Sequence, residues 1–289
     1  MINFLKYKWL YFFISTIVIC SGLFSLFRWG YRFSIDFIGG TNIEYKFSKS
    51  VDTKKINEII KSNKIEVIDK KIETSHLVIR TKALDEKISS KLKSDLENNL
   101  NVKITILKLE TVGPVLGRET MIKTGIASLL AILGILIYMS FAFHGFDYAL
   151  AAVIAMIHDL LVVIGSYSIL SHFFGAELDT MFVTAVLTAM SFSVHDTIII
   201  FDKIREYYRE EGQGKMEYYA NRALTETMVR SLNNSMTIVF MLLALSLMGG
   251  VTIKFFVIAL LVGTITGTYS SPFVATPILV FLEKRRRKV

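Results

Sequence analysis

MFVTAVLTAMSFSVHDTIIIF, residues 181–201, is the stretch on which the reading of this chain turns. Its 21 residues match the roughly 20 that an α-helix needs to cross a hydrocarbon core. One carboxylate, Asp196, stands deep inside it beside His195. A buried core helix of a soluble protein is amphipathic or shorter, so the segment reads as a membrane span carrying an ionisable group.

Five further apolar runs surround it, near residues 9–27, 121–143, 148–170, 235–247 and 255–281, of which 235–247 is the shortest. With 52% apolar residues and a mean hydropathy of +0.48 over 289 residues, the bilayer must be part of the solvent. The expected fold is an α-helical membrane protein with six transmembrane helices and one small α+β domain between spans one and two. The first run follows Lys6 and Lys8 and closes with Ser25-Leu26-Phe27-Arg28-Trp29, not with the small residues of a cleavage site, which predicts an uncleaved signal anchor. Pro272 and Pro277 predict a kink in the last span, because proline removes a backbone donor that neighbouring helices can compensate.

The net charge of +8 raises nucleic acid as a partner. The basic residues concentrate beside apolar segments, where anionic lipid headgroups attract them, so the lipid bilayer is the expected partner and nucleic acid is not. Cys20 has no second cysteine to pair with, which excludes a disulfide framework and a cysteine metal site within the chain. Short loops rich in Lys and Arg stay in the cytoplasm. Residues 202–234 carry Lys203, Arg205, Arg209, Lys215, Arg222 and Arg230, and the tail carries Lys284, Arg285, Arg286, Arg287 and Lys288. The chain therefore divides into residues 1–29, the N-terminus and first span; 30–118, a domain outside the cytoplasm; and 119–289, five spans with a cytoplasmic loop at about 202–234 and a basic cytoplasmic tail. Both termini are placed in the cytoplasm. Gly212, Gln213 and Gly214 mark a turn in that loop, and the charged stretch 203–211 is expected to lie on the membrane surface.

In the outer domain, Ile43, Tyr45 and Phe47 alternate as a strand, and residues 53–62 have a helical pattern. Short strands at 65–72 and 75–81 follow, then a helix with Leu84, Ile88, Leu92 and Leu96 at four-residue spacing, then a strand through Val102, Ile104 and Ile106. The order β-α-β-β-α-β is the ferredoxin-like pattern. Asp36 precedes Gly39-Gly40, a pair that suits a tight turn because glycine accepts positive φ without steric cost.

A carboxylate at mid-membrane costs roughly 2.5–3.5 kcal/mol on insertion scales, so Asp196 needs a reason. One reason is structural, a hydrogen bond to a neighbouring helix. The other is a proton relay, in which burial and a nearby cation pull the carboxyl in opposite directions and leave it able to load and release a proton. Arg230, at the cytoplasmic start of span five, is the candidate cation, with Asp202 as its competing partner. His158-Asp159 in span three echoes His195-Asp196, so His195, Asp159 and His158 join as further candidates for an ion pathway. Metal binding is not expected, since neighbouring residues on a helix point in different directions.

Three segments together resemble the SecD/SecF family of protein-export membrane proteins. They are Phe33-Ser34-Ile35-Asp36-Phe37-Ile38-Gly39-Gly40-Thr41, the run from Ser193 to Glu206 around His195-Asp196, and Asn221-Arg222-Ala223-Leu224 with Arg230-Ser231-Leu232. Val112-Gly113-Pro114 before span two agrees as well. The resemblance implies half of a resistance-nodulation-division core, with SecD as the other half and the SecYEG channel as the larger partner. It implies an inner-membrane protein of bacteria that uses the proton motive force to draw a translocating polypeptide outward after ATP-driven translocation. It carries the proton-pathway aspartate onto Asp196 and the functional arginine onto Arg230. His195 and Lys203 depart from the Asn and Arg common at those positions, and the first departure leaves the local hydrogen bonding and the coupling ion, H⁺ or Na⁺, open. No cofactor, metal or enzymatic activity is implied. The rival readings are a half-transporter of the same superfamily for lipids or small molecules, a passive assembly scaffold, and an intramembrane enzyme. The last lacks both His-Glu-x-x-His and a Gly-x-Gly-Asp context.

Overall fold

Long apolar runs become long helices because a chain in lipid must satisfy its backbone hydrogen bonds within itself. The computed structural model describes residues 2–49, 51–63, 65–72, 75–142, 145–212 and 214–286. A 3-10 turn, Phe4–Tyr7, leads into α1 (Lys8–Trp29). The short β1 (Arg32–Phe33) and α2 (Ile35–Ile38) follow, then β2 (Gly40–Phe47), α3 (Thr53–Ser62), β3 (Val67–Ile72), β4 (His76–Thr81), α4 (Glu86–Leu100) and β5 (Ile104–Val112). Beyond these come α5 (Pro114–Ala142), α6 (Phe146–Phe174), the short β6 (Glu177–Leu178), α7 (Thr180–Glu210) and α8 (Met216–Met248). Then α9 (Val251–Ser270) passes through a π-helical turn, Ser271–Ala275, into α10 (Thr276–Arg286). Six helices among the described residues are long and apolar enough to cross a membrane. Phe143, Gln213, Arg287 and Lys288 lie outside the described residues.

Two expectations are corrected. The stretch 203–211 is no separate surface helix, because α7 continues unbroken to Glu210, and Ile204 and Tyr207 stay buried along the same face as Phe201. The fifth span is not the shortest but the longest uninterrupted helix described, 33 residues. Its first half has a buried stripe of Tyr219, Ala220, Ala223 and Leu224 that hydropathy alone passes over, while Arg230 points outward from it. The two prolines fall where the last span departs from regular α-helix: Pro272 lies in the π-helical turn and Pro277 in the first turn of the helix beyond it.

The chain forms two units, residues 33–125 and residues 1–32 with 126–289. In the smaller unit four strands pair antiparallel in the order β3-β4-β2-β5. Ile43, Tyr45 and Phe47 of β2, Leu77 and Ile79 of β4 and Ile104 of β5 bury one face of the sheet against Ile56, Ile59 and Ile60 of α3 and Leu92 and Leu96 of α4. Asp52 caps α3 by accepting from the Lys54 amide at 2.9 Å, which fixes where that helix begins. Gly39 and Gly40 have φ of +76° and +134°, and a Cβ would stand 2.7 Å from the Pro114 Cα at the first and 2.6 Å from the Thr81 carbonyl oxygen at the second. The turn therefore needs glycine for conformation and for space.

In the larger unit α7 is the central helix, packed against α6, α8 and α9. Small residues bring the backbones together, as is usual where lipid offers no hydrophobic drive between helices. Gly263 and Gly267 of α9 face Ala189 and Ser193 of α7, and Gly22 of α1 meets Gly165 of α6. Asp179 caps α7 by accepting from the Phe182 amide at 2.7 Å. On α5, Leu130 and Phe141 are 63% and 79% exposed, a surface suited to lipid or to another helix and not to water.

Candidate functional site

Helix periodicity places Asp196 on the inner face of α7 and His195 on the outer: Asp196 is 6% exposed and His195 is exposed. The Asp196 carboxylate accepts a hydrogen bond from the Ser231 hydroxyl of α8 at 2.8 Å. Beside it lies a cavity of about 20 Å³ lined by His195, Asp196, Asn234, Ser235, Thr264 and Thr268. That is room for about one water with several polar partners. The next residue of α7, Thr197, meets the Ser271 hydroxyl of the π-helical turn at 2.8 Å, and across the cavity the Thr268 hydroxyl of α9 donates to Ser235 of α8 at 2.7 Å, so hydroxyl groups of α8 and α9 line the space beside the carboxylate.

The structure does not bring Arg230 and Asp196 into an ion pair. Arg230 is exposed on α8, Asp202 is exposed on α7, and neither forms an ion pair among the described residues. The neighbour of Arg230, Ser231, takes the inward position. The arginine of α8 that does hold carboxylates is Arg222, paired with Glu211 and with Glu226 at 3.5 Å and set over the Tyr207 ring at 4.1 Å. It fastens the start of α8 to the end of α7.

His158 and Asp159 of α6 form a second buried cluster. Their side chains meet, Nδ1 to Oδ1, at 2.8 Å, which corrects the expectation that neighbours on a helix diverge. Cβ vectors about 100° apart still allow an imidazole to swing its ring onto the adjacent carboxylate. Asp159 Oδ2 accepts from Ser270 of α9 at 2.6 Å and from Ser193 of α7. Among the described residues no three His, Cys, Asp or Glu side chains converge as they would on a metal ion. Sequence reasoning missed Ser15, Ser193, Ser231 and Ser270. For Ser15, Ser193 and Ser270 the signal is a hydroxyl within an apolar run, where a polar side chain must find a partner, whereas Ser231 precedes the run 235–247 and carries no such signal.

Asp36 lies in α2, whose first turn Ser34 caps by accepting from the Asp36 amide at 3.2 Å, and it leads directly into the Gly39-Gly40 turn. A buried carboxylate held by one hydroxyl next to a water-sized cavity can bind and release a proton, and nothing in it resembles a nucleophile with its base.

Comparison with known proteins bears on the whole chain. The family "Protein export membrane protein SecD/SecF, C-terminal" matches residues 87–285, and "SecD/SecF GG Motif" matches residues 32–51. The protein translocase subunit SecF of Anaerolinea thermophila is 37% identical over 98% of this chain and 94% of its own length. That of Thermobaculum terrenum is 39% identical over 99% and 95%. The crystal structure of SecDF, a translocon-associated membrane protein from Thermus thermophilus, superposes with a TM-score of 0.85 at 27% identity. It matches 98% of this chain, which in turn spans 39% of the SecDF chain.

Proposed function

The chain belongs to the SecD/SecF family of protein-export membrane proteins, and from that footing we propose that it is an ion-gradient-coupled subunit that promotes polypeptide export after ATP-driven translocation. It is a multi-pass membrane protein with six apolar helices, a transporter-type subunit and not one of an enzyme class. Within the proposal, it lies in the bacterial inner membrane with both termini in the cytoplasm. Its small domain faces outward, and the strand order β3-β4-β2-β5 with two helices on one face supports a ferredoxin-like reading of that domain. Its 39% share of the SecDF chain supports a half-core that needs SecD as its other half, with the SecYEG channel and the moving polypeptide as further partners.

The observation that carries the proposal is Asp196. A mid-membrane carboxylate with no cation paired to it among the described residues, one serine donor and space for a water is a poor structural fastener and a good proton site. A proton crossing the membrane gains roughly 2.3 kcal/mol per 100 mV, enough to bias a conformational step to which its binding is coupled. Arg230 is exposed here; the proposal gives it the role of favouring the ionised Asp196 in another state of the cycle. H⁺ is the coupling ion of the proposal.

The test is co-purification of the tagged chain with SecD and the channel, together with export in cells depleted of the chain. Export that slows on depletion, and that no longer responds to collapse of the proton gradient, is the expected result. Export that keeps its gradient dependence without the chain contradicts the proposal.

A further inference from the structure

Asp196 leaves a second buried acid–base pair unused. His158 and Asp159 are 8% and 3% exposed, and His158 is the only ion-pair partner of Asp159 among the described residues. The Asp159 carboxylate is approached from three helices: by His158 of α6, Ser193 of α7 and Ser270 of α9. An ionised carboxylate only accepts hydrogen bonds, so Nδ1 of His158 carries hydrogen and Nε2 is left with a choice.

The group that Nε2 meets is suited to either choice. It lies 2.9 Å from the Ser15 hydroxyl of α1. Ser15 Oγ is in turn 3.5 Å from the Tyr269 hydroxyl, which donates to the Tyr11 carbonyl at 2.8 Å. With Nε2 bare, Ser15 donates to it. With Nε2 protonated, Ser15 accepts from it and turns its own hydrogen to Tyr269, and the chain runs donor to acceptor from His158 to the Tyr11 carbonyl. Neither state leaves a buried donor without an acceptor, and the added proton brings the pair from a net negative charge to zero.

We propose that His158 and Asp159 form a second proton-binding site, separate from Asp196, in which one proton from water adds to Nε2 of His158 and reverses the Ser15 hydrogen bond. The titratable and charged groups around it are few. Tyr269 faces it from α9 and Tyr11 from α1 through its carbonyl, α7 supplies only the Ser193 hydroxyl, and no lysine or arginine from any packed helix pairs with Asp159 among the described residues. Loading the site changes how α1 is held to α6 and α9. Ser193 stands three residues before Asp196, so α7 touches both sites. The inference rests on the proton-coupled reading for its use in transport, but its test does not.

The full-length chain in lipid nanodiscs, ¹⁵N-labelled at its five histidines, is titrated by NMR, with the His158 signals identified by their loss in His158→Gln. The expected result is Nδ1 protonated throughout and Nε2 gaining a proton as pH falls from 9 to 5. Loss of the adjacent negative charge in Asp159→Asn lowers the midpoint by about 1–3 pH units. Should that variant not fold, Ser270→Ala, which removes a donor to the carboxylate, raises the midpoint instead. Asp196→Asn leaves the His158 transition in place. A His158 that keeps one form from pH 9 to 5, a bare Nδ1, a midpoint unmoved by Asp159→Asn or Ser270→Ala, or a transition abolished by Asp196→Asn each overturns the proposal.

Discussion

Replacing Gly263 with alanine sets a methyl group against α7. The new Cβ would lie 2.2 Å from the Ala189 Cβ, whereas two carbons rest at about 3.5–4.0 Å. Ala189 Cβ is fixed to its own backbone, so no side-chain rotation relieves the clash and α9 must back away by roughly 1.5 Å. Overpacking of a formed core costs about 1–3 kcal/mol, and so large a shortfall between backbone-anchored atoms falls at the upper end. Against it stands about 1 kcal/mol of helix propensity gained when glycine becomes alanine. The net loss is about 2 kcal/mol, or about 4–8 °C in melting temperature for a chain of this size. Gly134 of α5 meets nothing within 4 Å, so Gly134→Ala has only the propensity gain and should melt at the wild-type temperature or slightly above. Thermal unfolding of both variants in one detergent makes the comparison. Gly263→Ala melting at or above Gly134→Ala would refute the account of α9 packed backbone to backbone on the helix that carries the site.

A reporter inserted at Lys70 should read as outside the cytoplasm and one at Gly212 as inside, and both on one side would reject six spans with this orientation. A fragment of residues 33–118 should fold alone and melt cooperatively, since its two helices bury their apolar faces on its own sheet. Within it, Leu92→Ala should cost about 2–5 kcal/mol in denaturant titrations, because Leu92 is fully buried; a loss below a few tenths would contradict that core. Tyr45 is the sole tyrosine of that fragment, and burial pushes its phenol up to about 12. A raised folded value means that the unfolded chain ionises first, so the fragment is fully stable below pH ~10 and loses stability as pH climbs towards 12. Ultraviolet absorbance should show little phenolate at pH 11, and ionisation near 10 in the folded fragment would count against the burial.

Hydropathy made the six helices legible, and alternation made the order of strands and helices in the small domain legible, because both patterns are written in consecutive residues. Gly39-Gly40 was legible for the same local reason. The length of α8 was not: its first half is held by a stripe of Tyr219, Ala220, Ala223 and Leu224 between charged residues, and an average over all of them looks polar. The hydroxyl that meets Asp196 was not legible: it stands one position from Arg230, which sequence reasoning left open to Asp196 or Asp202. Charge complementarity pointed to Arg230, while the register of α8 against α7 turns Ser231 inward, and register is set by packing that no single segment encodes. The meeting of His158 with Asp159 depends on side-chain rotation, which spacing along a helix does not specify.

Asp196→Asn tests the central claim most directly. Asparagine keeps the size of the side chain and an oxygen for the Ser231 hydroxyl, and it removes the proton that comes and goes. The measurement is the rate of export of a secreted protein in inverted or right-side-out vesicles, with and without a proton gradient, at matched membrane levels of the chain. The account predicts normal membrane level and normal association with SecD, and no acceleration of export by the gradient. An Asp196→Asn chain that still accelerates export when the gradient is applied would contradict it and leave Asp196 as a structural hydrogen bond.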